Sequence, residues 1–129
     1  MSEQAIVHLT SSAAEFLITL QDMNRRLGAL YQHMVPVLRR SVMDHSEKQC
    51  ENIEVLIASA QKHLDLSKEQ LEISEMMIPY LLESQLVKMR ELVEVMKVWE
   101  EELGNAVRWM QNVLRRCSLT LEGLVLEEQ

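Results

Sequence analysis

From Ile6 to Val37 the chain places an apolar residue at every alternating step of three and four: Ile6, Leu9, Ala13, Phe16, Leu20, Met23, Leu27, Leu30, Met34 and Val37. A stripe kept over more than four heptads fits only an α-helix, because a strand would need period two. Leu17, Ile18, Tyr31, Val35 and Leu38 widen one side of this stripe, while the other flank (Ala5, Ser12, Thr19, Arg26, His33) lacks the charge pattern of a two-stranded zipper. A stripe this broad suits a helix touching two neighbours in a bundle. The start is read at Ser2 or at the Ser12–Glu15 capping pattern.

The register then breaks. Continuing the heptads beyond Val37 meets Ser41, Asp44 and Lys48, whereas the next apolar seam runs Cys50, Ile53, Ile57, Ala60, Leu64, Ser67, Leu71, Ser74, Ile78. A turn is therefore expected after Pro36, around Asp44–Ser46, capped by Ser46 with Gln49 or Asp44 with Glu47. Arg39 and Arg40 before it, and Glu47 and Glu51 after it, suit the negative and positive helix-dipole ends they sit at. The two seam serines are expected to weaken packing and leave the second helix the most surface-like, each able to bond back to its own backbone.

Around Pro79 the phase slips again. The third seam is Leu82, Leu86, Met89, Val93, Met96, Glu100, Leu103, Val107, Met110, Leu114, Cys117, Leu121 and Leu124. Pro79 either opens this helix or kinks a continuous rod. Leu103 and Val107 keep register across Gly104–Asn105, so one long helix from about 80 to 122 is favoured over a turn there. At Glu100 the expectation is a rotation that brings Trp99 inward and turns the carboxylate outward. The resulting fold class is all-α, an elongated antiparallel bundle of three long helices in one domain (residues 1–129), or a four-helix bundle if Gly104–Asn105 turns.

Composition agrees. Only 3 Gly and 2 Pro occur in 129 residues, against roughly 12% in average usage, which excludes glycine-rich phosphate loops and many-turned β folds. Neither G-x-G-x-x-G, the P-loop pattern nor G-x-S-x-G is present. None of His8, His33, His45 and His63 follows a Glu by three residues, as a di-iron bundle needs. Asp44, His45 and Glu47 read as a capped turn in preference to a cation site. The expectation is therefore no catalytic residue, no cofactor, no metal and no small-molecule substrate.

The net charge is −7, which argues against nucleic-acid binding. It is uneven: residues 1–43 carry +1, 44–86 carry −6 and 87–129 carry −2, so the first third is placed to attract the second, within one bundle or between chains. Cys50 and Cys117 fall in seams and read as buried thiols of a reducing compartment. No apolar run approaches a membrane span, and the polar start gives no secretory signal. A cytoplasmic location, with the nucleus also open, is expected.

Two features point to interaction chemistry. The run Met76, Met77, Ile78, with Tyr80 beyond Pro79, is apolar all round and reads as a partner surface, although most of the 9 methionines sit at seam positions and fill the core. The stretch around Arg108, Trp109, Arg115 and Arg116 is a basic amphipathic helix, a form that docks on acidic membranes or in partner grooves, though Glu122, Glu127 and Glu128 oppose the membrane. Within it, Arg115-Arg116-Cys117-Ser118 has basophilic-kinase spacing, making Ser118 a possible phosphosite. The expected function is a non-enzymatic helical adaptor or scaffold subunit that packs against other helical proteins, itself included, in an intracellular complex. The alternative is a lipid-regulated module using Arg25–Arg26, Arg39–Arg40 and Arg115–Arg116.

Overall fold

In the computed structural model the backbone is described for residues 3–41, 44 and 46–128, and the side chains for residues 12–41, 44 and 46–116. The chain is an all-α bundle of three helices: α1 Glu3–Ser41, α2 Glu47–Met77 and α3 Glu83–Glu128. At 39, 31 and 46 residues, they are about 58, 46 and 69 Å long. No strand occurs among the described residues.

The first turn forms where the register slips. α1 runs through Pro36, whose exposed ring sits inside the helix, and ends at Ser41, whose Oγ donates to the Leu38 carbonyl at 2.8 Å. Ser46 then caps α2: its Oγ accepts the Gln49 N–H at 3.2 Å, so of the two expected caps it is Ser46 that serves. Asp44 supports it by accepting the Ser46 N–H at 2.9 Å. Gln49 Nε2 also donates to the Val37 carbonyl at 3.3 Å, tying the start of α2 to the end of α1. The Ser12–Glu15 pattern caps nothing, because α1 begins at Glu3 and passes straight through it.

The second junction differs from both expectations. Pro79 neither opens α3 nor kinks a rod; it sits in a single 3₁₀ turn, Ile78–Tyr80, after which Leu81 is extended. Pro79 there forgoes an N–H that the tight turn does not need. α3 starts at Glu83. Leu82 takes the capping place without a side-chain oxygen of its own, its N–H donating to Gln85 Oε1 at 3.0 Å, which is half of a capping box.

α3 is continuous through Gly104–Asn105, which removes the four-helix alternative. Gly104 is an ordinary helical residue, with no positive φ and no atom within 4 Å of where a Cβ would stand. Gly104→Ala is therefore expected to stabilise the protein by about 0.5–1 kcal/mol, read as a higher midpoint in urea denaturation. A turn at this position would give the opposite sign.

Successive helices run antiparallel, which leaves α1 and α3 parallel. Asn24 meets Leu92, and Gly28 and Tyr31 meet Trp99, in rising order along both helices. α1 packs mainly on α3, which also carries α2, while α1 and α2 touch far less. The core between them is methionine-rich: Met23, Met34, Met89, Met96 and Met110 are buried beside Leu20, Leu27, Ile53 and Leu103. Unbranched thioethers fill the uneven spaces such a bundle leaves. Cys50 is buried as its seam position implies, while the side chain of Cys117 lies outside the described residues.

Candidate interaction surfaces

The two seam serines of α2 do not face solvent. Ser67 is fully buried and Ser74 nearly so. Ser74 bonds back to the Gln70 carbonyl at 2.8 Å, as a helical serine is expected to, but Ser67 instead donates to Glu100 Oε1 across the α2/α3 interface at 2.5 Å. This corrects the expected rotation of α3. Trp99 and Glu100 are both half-buried because they face different neighbours, the indole against α1 and the carboxylate against α2.

Trp99 depends on Gly28. A Cβ on residue 28 would stand 3.1 Å from Trp99 Cζ2, so the bare glycine backbone is what lets the indole lie against α1. Tyr31 stacks on the same ring at a tilt of 50°, with centroids 5.8 Å apart. One turn away, Asn24 Nδ2 donates to the Leu92 carbonyl at 3.0 Å, while its Oδ1 is buried with no partner.

The apolar run at the second junction is open. Met76 is 71% exposed, Leu82 60%, Tyr80 55% and Ile78 42%, whereas Met77 is partly buried against the core. Ile78 also lines a groove of about 530 Å³ between α2 and α3, floored by Leu71, Met89 and Val93 and rimmed by charges of both signs. Solvent-facing side chains of this size, grouped around one turn, are the kind of surface that marks a protein contact.

Trp109 is 65% exposed on α3. Arg39, Arg40, Arg115 and Arg116 are exposed as well, so each residue singled out for interaction, apart from Met77, reaches solvent where its side chain is described. Arg39 and Arg40 end α1, and Arg115 and Arg116 lie late in the parallel α3; Trp109 shares a shallow groove with Leu38, the residue before Arg39. Arg115 donates to Asn112 Oδ1 at 2.5 Å. The side chain of Ser118 lies outside the described residues, and its backbone is helical. His45, from the expected capped turn, also lies outside them.

Asp22 pairs with Arg25 and Arg26 on α1, and Glu94 with Lys97 on α3, each within a single helix. The hydrogen bond from Arg25 and the two positive charges hold the Asp22 carboxyl below the usual carboxylate range. The stability this triad supplies is thus present above that range and lost as pH falls through the lowered value.

Among the described residues no helix is long and apolar enough to cross a membrane, and no three His, Cys, Asp or Glu side chains are grouped to hold a metal ion. In comparisons with known proteins the chain matches no family model, no curated protein and no solved structure.

Proposed function

We propose that this protein is a non-enzymatic helical adaptor that joins other helical proteins in an intracellular assembly through the α2–α3 junction. The observation that carries this reading is the exposed group Met76, Ile78, Tyr80 and Leu82, continuous through Ile78 with the α2/α3 groove. A flexible thioether, a phenol ring and branched aliphatic chains give an adaptable contact surface. The mixed-charge rim of Glu75, Arg90, Glu94 and Lys97 supplies orientation more than affinity. The partner is the apolar face of another helix, laid into the groove in the helix-in-groove manner.

The test pairs light scattering with affinity capture. Met76→Glu and Tyr80→Glu are expected to leave helicity and melting unchanged, since both side chains face water, and to release the co-purifying proteins at least tenfold. A wild-type chain that stays a compact monomer and captures nothing from the lysate overturns the reading. So does a partner set that both variants retain in full.

A further inference from the structure

The seams of α2 and α3 meet in a fixed register. Ser67 donates to Glu100 Oε1 across the interface, which pins these two positions at one level. Toward the junction the same register pairs Ser74 with Val93 and Ile78 with Met89, and these four line one groove. In the other direction the α2 seam steps back from Ser67 by three and four to Leu64, Ala60, Ile57, Ile53 and Cys50. The α3 seam steps forward from Glu100 by the same three and four, to Leu103, Val107, Met110, Leu114 and Cys117. Because the two helices are antiparallel, each step on one is matched by a step on the other, and the seams stay level.

Burial agrees with this register. Ile53, Ile57, Ala60, Leu103, Val107 and Met110 belong to one core cluster, and Leu64 and Leu114 pack against it. The last rung of the ladder, beside the turn between α1 and α2, holds both cysteines of the chain. Cys50 carries a thiol that is only 8% exposed, and its N–H donates to the carbonyl of the capping Ser46 at 3.0 Å. Cys117 holds the matching place on α3, where the backbone is helical. Packed helices whose axes are about 8–10 Å apart bring facing Cα atoms to roughly 4–7 Å. That range overlaps the roughly 4.4–6.8 Å across which a disulfide forms.

We propose that Cys50 and Cys117 are a redox pair that closes into a disulfide across the open end of the α2–α3 hairpin. In a reducing compartment both remain thiols. With a peroxide as oxidant, one thiol attacks the O–O bond through its thiolate, becomes a sulfenic acid and releases water. The second thiol then displaces water from that sulfur. Two thiols and one peroxide thus give one S–S bond and two waters, with the sulfurs oxidised and the peroxide oxygens reduced. The Ile78–Tyr80 turn already ties α2 to α3 at one end. The bond ties the other end, so the hairpin cannot splay, and the long loop it closes restricts the unfolded chain. The inference stands apart from whatever the junction surface binds.

The test adds hydrogen peroxide to the intact, reduced protein and digests it without reductant. Mass spectrometry is expected to find the peptides of Cys50 and Cys117 joined, in a chain lighter by two hydrogens and unchanged in size by light scattering. Melting should rise by about 5–15 °C and fall back when dithiothreitol is added. Cys50→Ser and Cys117→Ser should each abolish the rise. Arg116→Cys combined with Cys117→Ser keeps a cysteine at that level but off the seam, and should close at least tenfold more slowly. Cysteines carried to sulfinic or sulfonic acid without a crosslink overturn the proposal, as does a bond between two chains or a mass that peroxide leaves unchanged. Equal closure by the off-seam variant overturns it too, since the register would then play no part.

Discussion

Leu103→Ala is expected to lower unfolding stability by about 2–5 kcal/mol. Leu103 is fully buried at the middle of α3, the helix that both others pack on, so truncation leaves a cavity in the core. The core cluster it belongs to is rich in flexible methionines that can relax around a void, and this places the loss toward the lower half of that range. Leu82→Ala is the internal control. The seam pattern treats Leu82 and Leu103 alike, yet Leu82 is 60% exposed before the first turn of α3. Its truncation should change stability by less than about 0.5 kcal/mol. Urea denaturation of the two variants measures both, and equal effects would show that the start of α3 is not where it is described.

Ser67→Asp is the second large effect, at about 3–5 kcal/mol of destabilisation at neutral pH. The position is fully buried, and the serine hydroxyl already donates to Glu100 Oε1. An aspartate there buries a carboxylate beside the half-buried carboxylate of Glu100, and the burial and the like charge both favour its protonated form. The variant pair should therefore take up a proton on folding, so the penalty shrinks as pH falls from 7 toward 4. Ser67→Ala, which removes the donor without adding charge, should cost less, about 1.5–3 kcal/mol. Glu100→Gln combined with Ser67→Asp should recover part of the loss, because the amide then donates to the new carboxylate. A penalty independent of pH would mean that the two side chains do not meet.

Much of this architecture is legible in residue spacing. The α1 seam, the break after Pro36 with its Ser46 cap, and the passage of α3 through Gly104 all follow from register, since a helix that keeps its stripe has no reason to stop. What spacing does not carry is the identity of the neighbour. Ser67 and Ser74 look like weak points in a stripe because a one-dimensional pattern scores polarity, whereas packing responds to partners. Only α3, 33 residues further along, shows that Ser67 has a carboxylate to bond. The same limit hides the division of labour between Trp99 and Glu100: one seam cannot show that a helix has two buried sides.

The candidate surfaces divide in the same way. The exposure of Met76, Ile78 and Tyr80 is legible in the sequence, because no single buried face can absorb an apolar run around a proline. The close approach of Trp99 to Gly28 is not readable. A glycine within a helical stripe gives only a weak signal, and its meaning comes from an indole 71 residues away.

The parallel pairing of α1 with α3 bears on how the chain acquires its structure. The most extensive helix pair joins segments separated by the whole of α2, while the pair adjacent at the first turn touches least. The local, quickly closed contact is the α2–α3 hairpin, and α1 can dock only after a long loop has been drawn shut. During synthesis α1 emerges first, and its apolar stripe has to wait until α3 has been made. A bundle that looks locally assembled is, in its order of formation, completed by its earliest segment.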